Sequence, residues 1–290
     1  MEEIKQKILV LGSTGMLGHQ VVQLLEKSNN FDVIDLVFRN KLRDSSIICD
    51  ITNKLELTKV INDVNPDLIV NCIGVLIKGS MNNPANAIYI NAYFPHFLAQ
   101  EAEKINAKVI HISTDCVFSG KTGGYSETAF RDADDTYGRS KGLGELNQLE
   151  HLTIRTSIVG PELKENGEGL LHWFINQQGE INGFKKAFWG GVSTLECARA
   201  ILYAISNNTS GLVNLTNGVA ISKLDMLNLF ANSLNKTDLI INGVEGKEVN
   251  KSLISERLDF DYKVPSYDVM FKEMGEKMIE DKKMYKFYNF

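Results

Sequence analysis

The run Gly12-Ser13-Thr14-Gly15-Met16-Leu17-Gly18 follows directly on the apolar segment Ile8-Leu9-Val10-Leu11. It opens a stretch, Met16–Glu26, in which Leu17, Val21, Leu24 and Leu25 share one helical face. A strand that turns on glycines straight into a helix leaves few folds open. Glycine at the turn adopts backbone geometry that a Cβ blocks, and lets the main chain come close to a ligand. The helix behind it offers free N–H groups and the positive end of its dipole, a setting for a pyrophosphate. The turn thus reads as a dinucleotide cradle made by Gly12, Thr14, Gly15, Met16, Leu17 and Gly18, against the plainer reading of a glycine-rich turn without a ligand.

The segments that follow repeat the pattern. Val33–Phe38 and Ile47–Cys49 read as strands, Leu55–Val64 as an amphipathic helix stopped by Pro66, and Leu68–Cys72 as a strand. Pro84–Ile105 reads as one long helix, Val109–Ile112 as a strand, Tyr137–Glu150 as a helix and Leu152–Val159 as a sixth strand. Apolar runs alternating with helices predict an α/β fold, a Rossmann-type doubly wound parallel sheet with helices on both faces. After Gly160-Pro161 the pattern loosens. Helices are expected at Leu170–Gln177, Thr194–Ser206 and Ser222–Leu234, a strand at Leu212–Leu215, and irregular chain over Ile181–Trp189. The expected division is a dinucleotide domain over 1–160 plus about 190–217, and a smaller α+β substrate lobe over about 161–189 plus 218–290.

Bulk properties exclude several classes. The 290 residues carry a formal net charge of −5, which disfavours a general nucleic-acid or anionic-membrane binder. No apolar stretch is long enough to cross a bilayer. Cys49, Cys72, Cys116 and Cys197 form no C-x-x-C motif, no metal-ligand cluster stands out, and the polar lead Met1–Lys7 does not resemble a secretion signal. A reduced, cytoplasmic protein is expected.

Cofactor choice is set at the end of the second strand, where an acidic residue suits NAD and an arginine suits the 2′-phosphate of NADP. Arg39 stands there, so NADPH is expected, with NADH as the alternative; a solvated basic loop is the plain reading, and Asp35 serves as the acid only if the strand ends early. Asp50 and Ile51 fall where an adenine would rest, although Asp50 serves equally as a cap before Thr52. Cys72, Ile73 and Gly74, after the fourth strand, complete the expected cofactor contacts.

Tyr137 and Lys141 lie four apart in a helical segment and share a face. An ammonium beside a phenol lowers its pKa and makes it a usable general acid toward an alkoxide formed by hydride transfer. Thr114 ends the fifth strand, at the sheet edge where ligands bind, and is placed to hold a substrate carbonyl.

Taken together, G-x-x-G-x-x-G, the asparagine Asn91, Ser113-Thr114-Asp115-Cys116-Val117-Phe118 and Tyr137-Gly138-Arg139-Ser140-Lys141 resemble the extended short-chain dehydrogenase/reductase family, and within it the dTDP-4-dehydrorhamnose reductase branch. The resemblance spans most of the first 160 residues. It implies a Rossmann domain with a nucleotide-sugar lobe, and NADPH-dependent reduction of a 4-keto nucleotide-sugar in polysaccharide or deoxysugar biosynthesis. It also implies catalytic roles for Thr114, Tyr137 and Lys141, with Asn91 ordering the lysine and a water, and Arg155 shaping the site. Two departures fall near the expected pocket: Cys116 replaces the branch's usual tyrosine, and Val159-Gly160 its aromatic-glycine pair. Cys116, Val117 and Phe118 are expected near the substrate, Cys116 as a small apolar filler rather than a reactive thiol. In the lobe, Trp173 and Trp189 are candidates to stack on the base and Lys185 to meet the diphosphate, set against a plain aromatic core and a solvated lysine. Gly120, Gly123 and Gly124 bound a loop able to close over substrate or to serve as plain turns. A homodimer is compatible with the sequence. The rival functions are an NAD-dependent nucleotide-sugar epimerase or dehydratase, and a non-catalytic NADP-binding regulatory subunit.

Overall fold

The computed structural model describes residues 5–146, 150–236 and 238–288. In chain order the first half runs β1 (Gln6–Leu11), α1 (Gly18–Lys27), β2 (Phe31–Val37), β3 (Ile47–Ile48), α2 (Lys54–Val64), β4 (Leu68–Asn71), α3 (Ile77–Asn82), α4 (Pro84–Ala87), a π-helical segment over Ile88–Tyr93, α5 (Phe94–Lys104), β5 (Lys108–Thr114), α6 (Thr136–Leu143) and β6 (Leu152–Thr156). The rest comprises β7 (Ile158–Val159), α7 (Leu170–Ile175), β8 (Gly179–Phe184), β9 (Ala187–Trp189), β10 (Val192–Ser193), α8 (Thr194–Ser206), β11 (Gly211–Asn214), β12 (Ile221–Ser222), α9 (Lys223–Ser233), β13 (Leu239–Val244), β14 (Val249–Asn250) and α10 (Tyr267–Glu280).

Seven strands form one parallel sheet in the order β11-β6-β5-β4-β1-β2-β3. This is the doubly wound order, and its direction reverses between β1 and β4, where a crevice opens at the carboxyl ends of the strands. The central strands are apolar without a break because both faces are covered. Along β1, Ile8 and Val10 enter one core layer while Leu9 and Leu11 enter the other. Asn53 caps α2 by accepting from Glu56 N, and Asn65 closes it in the left-handed conformation just before Pro66. β11, although distant in sequence, extends the sheet beside β6.

Four expectations need correction. The helix expected over Pro84–Ile105 is interrupted by the π-helical segment, which carries Asn91. The strand expected over Leu152–Val159 leaves the sheet after Thr156, since Ile158 and Val159 pair with β10 and Val192 N donates to Ser157 O. The helix expected to reach Glu150 ends at Leu143; positions 147–149 of that reading lie outside the described residues. The segment read as irregular, Ile181–Trp189, holds β8 and β9, which pair with β13 and with β12 and β14. Among the described residues no helix is long and apolar enough to cross a membrane, and no cluster of His, Cys, Asp or Glu is placed to hold a metal ion.

Candidate active site

The glycine turn sits at the switch point. Gly12 has a φ of +79°, its N–H donates to Leu36 O, and its carbonyl accepts from Gly15 N at 2.9 Å. A Cβ on Gly18 would lie 2.2 Å from Gly12 O, so α1 packs against the turn only without a side chain there. An open cleft of about 490 Å³ runs along the turn, lined by Gly12, Thr14 and Gly15, by Phe38, by Asp50 and Ile51, and by Cys72, Ile73 and Gly74. Backbone turn, helix N-terminus and cleft fit a dinucleotide.

Asp35 does not face this cleft. It lies fully buried in β2, where it accepts from Ser13 Oγ (2.5 Å), Ser46 Oγ (2.7 Å) and Arg43 Nε (2.7 Å). β2 runs through Asp35 to Val37, and Arg43 is held by Asp35, Val33 O and Glu26. Arg39 remains on the surface, its guanidinium carbon 4.5 Å from the centre of the Phe38 ring. Asp50 Oδ1 accepts from Thr52 N and Oγ1, so it caps that turn while also lining the cleft.

Beyond Gly74 lies the second group of residues. A Cβ on Gly74 would be 3.6 Å from Asn91 Oδ1 and 3.9 Å from Lys141 Nζ, so both buried heads stand close to Gly74, which lines the cleft. Asn91 accepts from Val75 N (2.8 Å) and donates to Val75 O and Ser140 Oγ, thereby tying the chain after β4 to α6. Asp135 caps α6 through Gly138 N at 2.8 Å. A Cβ on Gly138 would lie 2.1 Å from Cys116 O, so the glycine after Tyr137 lets α6 press on the segment after β5. Thr114 is buried; its hydroxyl donates to Asp115 Oδ1 and accepts from Cys116 N.

Lys141 Nζ donates to Ile112 O at 2.6 Å and stands 3.4 Å from His111 Nε2. Burial lowers its pKa to about 8, with Glu145 opposing. Tyr137 behaves otherwise than the helical spacing suggested. Its phenol is held well above its ordinary range, by burial first and then by Cys116 and the carboxylates Asp115 and Asp135, while Thr114 pulls it down. The lysine head is turned to Ile112 and His111, which leaves burial to dominate at the phenol.

Several expected substrate residues are placed otherwise. Arg155 is almost fully buried; it grips Glu145 through Nε (2.8 Å) and an η nitrogen (2.7 Å) and bonds Asn214. Glu145 also accepts from Ser113 and Arg131. Burial alone would raise the Glu145 carboxyl, but Arg155, Ser113 and Arg131 hold it below the usual range. Trp189 is core, packed against Tyr267 and Phe271. Trp173 and Lys185 are exposed and do not line the cleft. Val117 and Phe118 are buried, Phe118 stacked on Tyr125 at 4.2 Å. Burial pushes the thiols of Cys72 and Cys116 up to about 12. The glycine loop at 120–124 is fastened to the 249–254 segment through Asn250 N to Gly120 O and Gly124 N to Ser252 Oγ.

Three cations were not anticipated. Lys164 lines the cleft. Lys223, at the start of α9, lies 5.7 Å from the Trp189 ring centre, and it and Lys251 both act electrostatically on Asp115. Neither makes an ion pair within 4 Å among the described residues. In sequence they look like any surface lysine; only the docking of the later segments brings them to Thr114-Asp115-Cys116.

The model of the RmlD substrate binding domain family matches residues 6–255. The chain belongs to that family. Among its relatives, the dTDP-4-dehydrorhamnose reductase of Aggregatibacter actinomycetemcomitans is 30% identical over 166 residues, 55% of this chain and 54% of that one. Methionine adenosyltransferase 2 subunit beta of Danio rerio is also 30% identical, over 165 residues covering 55% and 50%. The chain thus spans about half the length of these curated relatives. The crystal structure of dTDP-4-dehydrorhamnose reductase from Bacillus anthracis in complex with NADP superposes with a TM-score of 0.79 at 21% identity, covering 96% of this chain and 100% of that one, and shares its fold.

Proposed function

We propose that the chain is an NADPH-dependent reductase of a 4-keto nucleotide-sugar, as the family and the reductases within it suggest. The observation that carries this reading is the meeting of Lys141 and Asn91 close to Gly74, which lines the glycine-turn cleft, with Tyr137 one helical turn away on Thr114. Gly12 through Gly18, Asp50, Ile51 and Cys72 through Gly74 would hold the dinucleotide, and Arg39 its 2′-phosphate. Bound NADPH would supply a hydride to the ketone carbon. Tyr137, kept protonated, gives its proton to the carbonyl oxygen. Thr114 holds that oxygen, the phenolate left on Tyr137 takes its next proton from solvent, and Lys141, whose head is turned to Ile112 and His111, would help hold the dinucleotide beside Gly74. Lys223 and Lys251 would meet the substrate diphosphate from the lobe formed by about 161–189 and 218–290. A cytoplasmic place of action and a homodimer belong to the same reading; exposed Ile88, Tyr93 and Leu143 give a dimer an apolar face.

The test is NADPH consumption with a dTDP-4-keto-6-deoxy sugar. Wild type should turn over, and Tyr137→Phe should lose about 10²- to 10⁴-fold in kcat while still binding NADPH. Protein that binds NADPH but reduces no 4-keto nucleotide-sugar would overturn the proposal. NAD carried through purification would point to an epimerase or dehydratase. The likeness to an adenosyltransferase subunit favours one second reading, a non-catalytic subunit; unchanged pathway output with Tyr137→Phe would support it.

A further inference from the structure

The segment 282–288, after α10, lies beside the glycine turn and is bonded to both sides of it. On one side, His19, the residue after Gly18, places Nδ1 2.8 Å from Gly15 O and Nε2 3.0 Å from the Tyr285 hydroxyl. A carbonyl only accepts, so Nδ1 carries the proton and Nε2 accepts from Tyr285. Gln20 Nε2 in turn donates to the Tyr285 oxygen at 2.7 Å. His19 is fully buried and its pKa is lowered to about 4, chiefly by burial, so the ring stays neutral and keeps this tautomer. On the other side, Glu162 N donates to the Tyr288 hydroxyl at 2.9 Å, and His172 Nδ1 lies 3.0 Å from the same oxygen. Glu162 Oε1 then accepts from Gly169 N at 2.7 Å and closes the loop between them. That loop carries Lys164 to the cleft, and a Cβ on Gly169 would lie 3.4 Å from Met16 Sδ. The two tyrosine rings stack on each other, 6.0 Å apart.

A peptide unit is planar and trans, so fixing the Gly15 carbonyl fixes the Met16 N–H on the opposite side of the same plane. That N–H lies in the glycine turn, one residue before Leu17, the N-cap of α1. We propose that Tyr285 and Tyr288 are positioning residues for the dinucleotide: Tyr285, through His19, aims the Met16 amide, and Tyr288, through Glu162, seats the 162–169 loop with Lys164 over the same turn. Neither phenol touches the ligand, and neither takes part in the chemistry. The inference rests on the dinucleotide reading of the cleft.

Tyr285→Phe and Tyr288→Phe keep the stacked rings and remove only the hydroxyls. Each should raise the NADPH dissociation constant about 5-fold, the equivalent of one lost hydrogen bond, and leave kcat at saturating NADPH unchanged. Amide hydrogen exchange at Met16, measured without ligand, should quicken in Tyr285→Phe. Tyr262→Phe, which removes the bond to Glu196 on α8 and none of the bonds to His19, Gln20 or Glu162, should lower the melting temperature yet leave both readouts at wild-type values. Wild-type NADPH affinity and wild-type Met16 exchange in Tyr285→Phe would overturn the assignment, as would an equal loss of affinity in Tyr262→Phe. Wild-type protein that binds no dinucleotide at all would instead overturn the reading of the cleft, and this assignment with it.

Discussion

On the reading proposed above, the groups that would face a ligand around the glycine turn are main-chain N–H groups at the start of α1, and those across the site, at Lys223 and Lys251, are side-chain ammonium groups borne by separate segments. The first arrangement needs residues that stay out of the way, and the sequence supplies glycine at each point of contact. The second needs charges delivered to a distance, and any long cationic residue whose backbone is correctly placed will serve. A backbone site therefore leaves a fixed spacing in the sequence, whereas a side-chain site leaves almost none. The proposed catalytic group at Thr114, Tyr137 and Lys141 lies between these extremes, since one helix carries two of its members.

The comparison breaks first at its joint. Glu145, two residues after α6, holds Arg155 on β6 and Arg131 and so fastens the end of α6 to β6. Glu145→Gln leaves Arg155 buried without a full counter-charge and should cost about 3–5 kcal/mol of stability, read by urea unfolding. A loss under 1 kcal/mol would show that the two halves of the site are held together by something else.

Acid should act on the nucleotide side. His19 titrates at about 4 in the folded chain against 6.5 ordinarily, so between those values the unfolded chain binds more protons. The stability this neutral ring contributes is complete above pH 6.5 and is lost as pH falls toward 4, by about 3 kcal/mol. His111 and His151, also lowered by burial, act with the same sign. Unfolding curves at pH 7 and pH 4.5 for wild type and His19→Gln measure it; the substituted chain should show the weaker dependence.

Gly18→Ala tests the backbone site directly. The added methyl meets Gly12 O, Gly12 C and Ser13 Cα, all main chain, so the turn itself must move. Stability should fall by about 1–3 kcal/mol, with NADPH affinity falling in parallel in a fluorescence titration. The smallest effect belongs to the side-chain site. Lys223→Met should raise KM for the sugar nucleotide about 10-fold, with NADPH affinity and fold unaltered, because one charged contact is removed and the neighbouring Lys251 remains. If Lys223→Met weakened NADPH binding instead, the assignment of the two faces would be reversed.

What was legible in the sequence follows the same division. The doubly wound parallel sheet and the glycine turn between β1 and α1 come from short-range spacing and apolar runs, and the fold has them as expected, whereas the grouping of Thr114, Asn91, Tyr137 and Lys141 is implied by the resemblance and the lysine head turns to Ile112 and His111 instead of the phenol. Trp189 is a candidate in sequence because a tryptophan offers a stacking surface, and Arg155 is implied by the resemblance to shape the site; the burial of one against Tyr267 and of the other against Glu145 is a long-range fact. The π-helical segment was invisible because no local pattern distinguishes it from the helix it interrupts. Lys164, Tyr285 and Tyr288 gain their meaning only from partners far along the chain.

With Ser13, Ser46 and Arg43 all bonded to it, the Asp35 carboxylate is a foundation stone under the turn, out of reach of any ribose. On the dinucleotide reading, retuning the coenzyme preference is therefore a task for the surface pair Phe38 and Arg39 and for Asp50 in the same cleft, not for Asp35.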